Sequence, residues 1–308
     1  MKSINDEKDV TAVKRERDGI ERRLWERYFN LFASSLKWNG FEREEREFII
    51  RALWDTGRIS SIRISDELLA FVSYAPNEFN IYNAPVGATP IPNRPAPYIP
   101  QRVLRTGALR TNVARNVDEP EIVLGWAMHS LRPISDALKD WIDDLVEVEM
   151  AIRINTDLQK IPFAIKTTPQ NESKLKMLLK RLIFGVRGMA VGVDEIGSIE
   201  AMTTGAPYIL DKLEERKDHL DKEVLTFLGI DNLKEKRERM QGDEINANND
   251  EINLNQDAIL DNIKEWVNLT NKAFGTRYSV DAKRKTRSLY ENEEGESKEE
   301  NENGNDME

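Results

Sequence analysis

The residues of this chain whose side chains are the best candidates for a chemical role are five cations in its second half. One is Lys212, and the other four lie close together further along: Lys234, Lys236, Arg237 and Arg239. Lysine and arginine neutralise nucleic-acid phosphates, and duplex DNA presents one negative charge per ~1.7 Å of its axis. Such contacts would be independent of base sequence, because phosphates carry no base information. A solvated run of charge explains the same residues, so the sequence leaves both interpretations open.

Residues for covalent catalysis or metal binding are scarce. The sequence has two histidines, His129 and His219, and no Ser–His–Asp grouping, glycine-rich phosphate loop or paired histidines at helical spacing. Adjacent acids such as Asp143 and Asp144 could bind a metal ion or act as an acid–base pair, but their neighbours are typical of a solvated helix face. The sequence therefore predicts no enzyme activity, no cofactor and no metal site. A buried pocket with converging polar groups would reopen the question.

Composition limits the class of protein. The chain has 308 residues and no cysteine, which excludes disulfides and thiolate metal sites. No apolar run approaches the ~20 residues of a membrane span, and the N-terminal residues are too polar for a signal peptide. The sequence thus predicts a soluble protein made in the cytoplasm, with no membrane partner. Residues 291–308 carry nine acids and one lysine, a net −8 of the total −10, which is typical of a disordered tail.

Two long amphipathic helices are predicted to position these charges. One opens at Pro133 and continues to about Asp157, and the other runs from Pro207 to a C-terminal cap at Gly229. Apolar residues recur along both at three- and four-residue steps, and the other positions are mostly charged. A narrow apolar stripe can bury little surface in the core of a monomer, so we predict that these helices contact other copies of the chain in a ring. The predicted subunit-contact residues are Ile134, Leu138, Trp141, Leu145, Val148, Ile152, Leu213, Leu220 and Val224.

The first of these helices carries a second apolar stripe, which predicts that it lies between its partner helix and a neighbouring copy. Between the two helices, residues 158–206 are predicted to form a compact β–α–β unit. Residues 85–100 hold six of the twelve prolines, so they are predicted as an extended arm and poor strand. The arm is either an ordinary long loop or a clasp over a neighbouring subunit. The remaining predicted elements are a flexible segment at 1–17, helices at 20–38, 42–54 and 258–274, and strands within 59–82.

Three segments give the chain a family resemblance. They are APYILDKL at Ala206–Leu213, TFLGI at Thr226–Ile230 and ERM at Glu238–Met240, the last followed by a run rich in Asp, Glu and Asn. In this pattern the chain resembles the portal protein of small podophages of the phi-29 group, also called the upper collar or head–tail connector. The likeness is specific in this region and follows the order of elements elsewhere.

The resemblance implies a mainly α fold with β elements (α+β), in which long stem helices carry a small α/β clip insert and a wing and crown domain. The implied parts are a wing with an N-terminal arm at 1–132, a first stem helix at 133–157, a clip at 158–206, a second stem helix at 207–229, a channel loop at 230–256, a helical wing or crown region at 257–290 and the acidic tail at 291–308. On this plan Lys212 matches a lysine of the channel surface, whereas Thr203 stands where the family has a second basic residue.

For function, the resemblance implies a closed ring of about twelve copies at one vertex of the capsid. The ring would conduct double-stranded DNA during packaging and ejection, nucleate the capsid and join head to tail. Implied partners are other copies of the chain, a packaging ATPase, the major capsid and scaffolding proteins, and the lower collar or tail protein. The implied location is the virion, with assembly in the host cytoplasm. Binding of a packaging RNA stays open, since the basic residues from Lys14 to Arg23 are mixed with acids.

Within such a ring every copy repeats each cation. We predict that acids on the long helices line the tunnel and let DNA slide, while the basic segment at 230–241 holds DNA at the inner end. The alternative is a helical scaffold or adaptor without DNA contact, which would use the seam at 134–152 for a coiled-coil dimer. A mass near 71 kDa, twice 35.5 kDa, would support the adaptor, and a large closed ring would support the portal.

Overall fold

The computed structural model describes residues 6–65, 68–107, 119–160, 163–166, 200–203, 207–230 and 242–283. The helices in these ranges are α1 (Asp6–Ser35), α2 (Arg43–Asp55), α3 (Ile134–Lys160), α4 (Leu210–Phe227) and α5 (Gly242–Phe274). The strands are β1 (Leu36–Asn39), β2 (Arg58–Arg63), β3 (Leu69–Phe79), β4 (Pro85–Ile91), β5 (Leu104–Arg105), β6 (Ile122–Trp126), β7 (Phe163–Lys166), β8 (Glu200–Thr203) and β9 (Ser279–Ala282). This mixture confirms the predicted fold class, mainly α with β elements.

The chain divides into two compact units. The first consists of Met1–Asn30 with Arg132–Asp257, and the second of Leu31–Leu131 with Ala258–Glu308. Helices α1 and α5 each contribute residues to both units. The division differs from the predicted one, because the first 30 residues join the unit of the long helices instead of a wing at 1–132. The functional boundaries themselves stay a prediction.

In the first unit, α3 and α4 pack side by side along their apolar stripes. Helix α3 buries both of its stripes: Leu138 and Leu145 of one stripe and Ile142 of the other are at most 1% exposed. The Trp141 and Phe227 rings meet at a centroid distance of 5.4 Å. Burial of both stripes within one chain differs from the prediction that the second stripe faces a neighbouring copy.

Helix α1 explains this difference, because it supplies a third helix to the unit. Its residues Ile20, Leu24 and Tyr28 are buried at four-residue spacing. The Arg17 Nε donates to Glu147 Oε1 of α3 at 3.1 Å, which places α1 beside α3. Helix α3 therefore contacts two helices of its own chain, α4 along an apolar stripe and α1 through ion pairs.

Helix α1 begins at Asp6, so the prediction of a flexible segment at 1–17 is wrong for residues 6–17. Residues 11–18 are all exposed and show no apolar periodicity. Ion pairs hold this part of the helix instead, joining Arg17 to Glu147 and Glu16 to Arg153 of α3. Charge pairs between residues far apart in the chain leave no periodic pattern, so the sequence did not indicate them.

The second unit is built on a five-stranded antiparallel sheet with strand order β5-β4-β3-β2-β6. Its two edges meet, because the Glu121 backbone N–H donates to the Arg105 carbonyl oxygen at 3.0 Å. The Arg105 backbone N–H in turn donates to Glu121 Oε2 at 3.1 Å. The sheet thereby curls into a small closed cylinder. Its buried core residues are Ile62, Val72, Tyr74, Ala88, Ile99, Leu104, Ile122 and Leu124.

Strand β4 corrects the prediction for the proline-rich segment at 85–100. Residues 85–91 pair with β3 in antiparallel register, whereas the sequence predicted an extended arm and poor strand. The prolines lie where a strand tolerates a missing N–H: Pro85 is the first residue, and Pro90 lies outside the two-residue stretch that pairs with β5. Further along, Ile99 is buried in the cylinder core, so this segment folds onto its own sheet.

Helix α5 packs on this sheet through Trp266, which is fully buried. The Trp266 ring centroid lies 5.9 Å from that of Phe71 in β3 and 6.4 Å from that of Phe41. The hydroxyls of Ser61 in β2 and Thr270 in α5 are 2.9 Å apart and buried. Aromatic packing and a buried hydrogen bond together fix the position of α5 against the strands.

Helix α5 begins at Gly242, well before Ala258, where the sequence predicted the final helix to start. The predicted channel loop at 230–256 is therefore helical from residue 242 onward. Its Asn- and Asp-rich composition favours caps and turns over helix. A tertiary contact opposes that preference, since Asn255 Nδ2 donates to the Thr226 carbonyl oxygen at 3.1 Å.

Part of the predicted β–α–β unit is also described. Strand β7 pairs antiparallel with β8, with Phe163 opposite Thr203. The rest of that unit, at 167–199, lies outside the described residues, as do the segment 231–241 and the acidic tail. Among the helices that the structure describes, none contains an 18-residue stretch apolar enough to cross a membrane.

Candidate nucleic-acid and subunit interface

Helix α4 presents Lys212, the candidate DNA contact that falls within the described residues. The helix starts after Ile209 and has Asp211 in its first turn, where a negative charge interacts favourably with the helix dipole. The Tyr208 hydroxyl donates to Asp211 Oδ1 at 3.3 Å, and the negative charge of Asp211 raises the pKa of Tyr208. Lys212 itself is exposed. A phosphate could therefore reach its ammonium group at the solvent face of the first turn.

The other four candidate cations lie outside the described residues: Lys234, Lys236, Arg237 and Arg239. The structure does describe how their segment begins. Helix α4 ends in a glycine cap, in which Gly229 has a φ of +66° and the Ile230 N–H donates to the Leu225 carbonyl oxygen at 2.9 Å. The Asn255 side chain of α5 bonds the Thr226 carbonyl oxygen in the last turn of α4. The end of α4 is thus tied to α5 directly before the basic segment.

Acids of α3 and α4 are paired with cations and hydroxyls of neighbouring helices. Glu149 of α3 accepts from Arg23 of α1 at 3.3 Å and from Lys217 of α4 at 2.9 Å. Asp221 of α4 accepts from the Tyr28 hydroxyl of α1 at 2.6 Å. Burial and this hydrogen bond raise the pKa of Tyr28 well above its ordinary value. We predicted that acids of the long helices line a tunnel, and these two carboxylates instead join the three helices of the unit.

The nine predicted subunit-contact residues fall into two groups. Five are at most 1% exposed within the single chain: Ile134, Leu138, Leu145, Leu220 and Val224. Because α1 completes the unit within the chain, these five side chains retain almost no surface for a second copy. The other four are half-buried: Trp141, Val148, Ile152 and Leu213. These four keep surface with which to contact another subunit, and their role in an interface stays a proposal.

An exposed apolar patch at the adjoining ends of α3 and α4 was not predicted. Ile154 is 56% exposed and Tyr208 is 59% exposed. The Asn155 Nδ2 donates to the Pro207 carbonyl oxygen at 3.1 Å and brings the two ends together. Ile154 lies outside both apolar stripes of α3. An isoleucine outside the stripes is the feature of the sequence that could have indicated this exposed patch.

Both histidines lie within the described residues. His129 is exposed, and His219 lies on α4 with its Nε2 3.4 Å from Glu223 Oε1 one turn away. Across the described ranges, no group of three or more His, Asp or Glu side chains is arranged to hold a metal ion. The described surface of these helices presents charged side chains and exposed apolar side chains.

A family comparison accounts for this arrangement. The family model described as Phage Connector (GP10) matches residues 6–287. The chain belongs to the phage connector family. The match takes in every helix and strand described for this connector and confirms the resemblance carried by Ala206–Leu213.

One solved structure shares the fold of this connector. The connector is similar to a chain in the portal and tail of native bacteriophage P68, with 14% sequence identity, coverage of 98% of this chain and 99% of that chain, and a TM-score of 0.50. At this identity the likeness shows the fold alone. The connector is also similar to a chain in the virion of a native gene transfer agent particle, with 12% identity, coverage of 92% and 86%, and a TM-score of 0.42. This second likeness is too weak to support a conclusion.

Proposed function

We propose that this connector assembles into a closed ring at one vertex of the capsid and conducts double-stranded DNA during packaging and ejection. The observation that carries the proposal is the family match over residues 6–287. The fold shared with a chain in the portal and tail of bacteriophage P68 supports it. On the same grounds we propose a location in the virion, assembly in the host cytoplasm, and further roles in nucleating the capsid and joining head to tail.

The mixed charges of α4 suit a channel through which DNA slides better than a surface that binds DNA tightly. The exposed Lys212 lies among exposed acids such as Glu214 and Glu215. A wall rich in cations would hold DNA tightly through counterion release, whereas mixed charge permits weak and exchangeable contacts. We infer that Lys212 and the four cations of the segment 231–241 supply these contacts without reading base sequence.

The same proposal names the partners. They are about eleven further copies of the chain, the major capsid and scaffolding proteins, and a lower collar or tail protein. A separate packaging ATPase would supply energy, since the sequence lacks the lysine-bearing glycine loop that binds ATP phosphates. The connector itself would perform no covalent chemistry.

The ring is tested by the mass and shape of the purified connector. Light scattering is expected to give a mass of about twelve chains, and negative-stain images down the particle axis should show a central hole. A stable species of 71 kDa, twice 35.5 kDa, would favour the coiled-coil adaptor instead. A chain that stays monomeric and folded at high concentration would contradict both functions.

Changing the basic segment is expected to weaken DNA binding by the assembled ring. The variant replaces Lys234, Lys236, Arg237 and Arg239 with alanine. Each phosphate contact that is lost should make the negative slope of log affinity against log salt concentration shallower by ~0.9. Measuring ring–DNA affinity over a salt series gives that slope directly.

A matched control removes the same number of positive charges around α2, by replacing Lys37, Arg43, Arg46 and Arg51 with alanine. Its salt slope should equal that of the wild type. If the basic-segment variant forms intact rings and keeps the wild-type slope, these four cations do not hold DNA.

A further inference from the structure

The two-stranded ribbon of β1 and β9 has one buried face and one exposed face. Leu36, Trp38 and Val280 are buried, and the residues that alternate with the first two along β1 are exposed. The Asn39 Nδ2 donates to Ser279 Oγ at 3.0 Å, so the alternating residues of both strands share the exposed face. We call this surface the ribbon face, and its residues are Lys37, Asn39, Ser279, Asp281 and Lys283.

The ribbon face has a surplus of positive charge. Lys37 lies opposite Asp281 in the strand register. Lys283 follows β9 and continues the pairing, since its N–H donates to the Ser35 carbonyl oxygen at 2.7 Å. Asp281 already forms an ion pair with Lys264 of α5, with an N–O distance of 3.5 Å. Within the part of the chain that the structure describes, Lys37 and Lys283 are exposed and have no ion-pair partner.

Further cations follow this surface in the sequence. Lys37 is the diagonal neighbour of Lys283 across the two strands, and such neighbours are ~7–8 Å apart. Like charges at this separation repel each other, and an anion bound between them would offset the repulsion. Directly after Lys283 come Arg284, Lys285 and Arg287. The two lysines of the ribbon face and these three residues together supply five cations for an anionic partner.

The acidic tail is the anionic segment that follows these cations in the sequence. Residues 291–308 carry nine acids and one lysine, a net −8. The first of the acids, Glu291, is eight residues after Lys283, and eight residues span at most ~28 Å. A tether of this length keeps the tail at a millimolar effective concentration around the ribbon face. The covalent connection and the opposite charge therefore favour the tail over an anion from solution.

We propose that the acidic tail of each chain folds back onto its own ribbon face and the adjoining segment 284–287, and that it shields these cations from nucleic acid. Carboxylates of the tail and phosphates of DNA compete for the same lysines and arginines. The shielding restricts DNA binding to the cations proposed above, Lys212 and those of the segment 231–241. The contact requires neither a ring nor a capsid, so its failure would leave the proposed function standing.

Removing the tail should strengthen DNA binding. A chain that stops at Tyr290 is expected to show a steeper fall of log affinity with log salt concentration than the full chain. The slope should steepen by ~0.9 for each cation that gains a phosphate contact, and thus by at most ~4.5 for all five. The measurement is the affinity for a duplex of mixed sequence over a salt series. An unchanged slope would contradict the shielding.

Loss of the tail also removes negative charge from the whole molecule, and two variants of the shortened chain separate this general effect from shielding. The first variant changes three cations at the end of β9 to alanine: Lys283, Arg284 and Lys285. The matched control changes three cations of α2 in the same unit to alanine: Arg43, Arg46 and Arg51. The first should make the slope of the shortened chain shallower by up to ~2.7, and the control should leave it unchanged. Equal slopes for the two variants would overturn the proposal.

Carbodiimide cross-linking reports on the contact itself. It joins a lysine amine to a carboxylate where the two form an ion pair, and mass spectrometry identifies the linked peptides. The full chain is expected to give links from Lys37 and Lys283 to acids of residues 291–308. In a mixture of unlabelled and isotope-labelled chains, each link should join two peptides with the same label. Links between differently labelled peptides would assign the tail to a neighbouring copy, and links to other lysines alone would place it elsewhere. Either result would overturn the proposal.

Discussion

Replacing Gly125 with alanine is expected to lower the free energy of unfolding of the second unit by about 3 kcal/mol. A Cβ at this position of β6 would lie 2.3 Å from Cγ of Trp266 and 2.6 Å from its Cβ and Cδ1. The indole cannot move aside, because Trp266 is fully buried and packs against Phe71 and Phe41. The loss is measured by urea denaturation followed through tryptophan fluorescence.

A second glycine provides the control for this change. Gly19 lies within α1, and a Cβ there would meet nothing within 4 Å. Gly19→Ala should therefore stabilise the chain by ~0.5–1 kcal/mol, as alanine does in an unobstructed helix. A loss below ~1 kcal/mol for Gly125→Ala, the lower limit for overpacking, would contradict the packing of α5 on β6.

Replacing Gly229 with alanine is expected to cost about 3 kcal/mol, from two separate causes. The φ of Gly229 is +66°, a conformation that alanine adopts at a cost of ~1–2 kcal/mol. Its Cβ would also lie 2.3 Å from Cβ and 2.5 Å from Cα of Gln256, and the backbone of α5 cannot rotate away. Thermal unfolding of the first unit reports the sum of both terms.

Gly275 separates the two causes. It also follows a helix and has a φ of +72°, but a Cβ there would meet nothing within 4 Å. Gly275→Ala should cost only the conformational part, ~1–2 kcal/mol. Equal losses for the two variants would show that α5 does not press on the end of α4.

Helices α2, α3 and α4 could be predicted because their signals are local. Pro133 stands before the first residue of α3, and the positive φ of Gly229 agrees with its prediction as a cap. The elements that the sequence missed depend on contacts between distant residues. The N-terminal part of α1 is held by ion pairs to α3. Pro85 and Pro90 can belong to strand β4 because of how β3 and β5 pair beside it.

The candidate surfaces were predictable only in part. The sequence indicated that Lys212 lies on the charged side of α4, and it is exposed; its contact with DNA stays a prediction. The apolar spacing of Leu138 and Trp141 could not show which of the two is buried by its own chain, because one pattern serves both burial within a chain and contact between chains. The exposed side chains of Ile81 and Tyr82 were missed because only the strand register shows that β3 ends at Phe79 and leaves these two residues in the turn before β4.

The closure of the cylinder by Glu121 has a consequence for crowding. Strand β5 is two residues long, and the carbonyl oxygen of Arg105 is already taken by the Glu121 N–H. An open edge would invite strand addition from adjacent molecules, the first step toward amyloid-like stacking. Because the Arg105 carbonyl oxygen is bonded within the chain, strands of adjacent molecules cannot pair with it at this edge of the sheet.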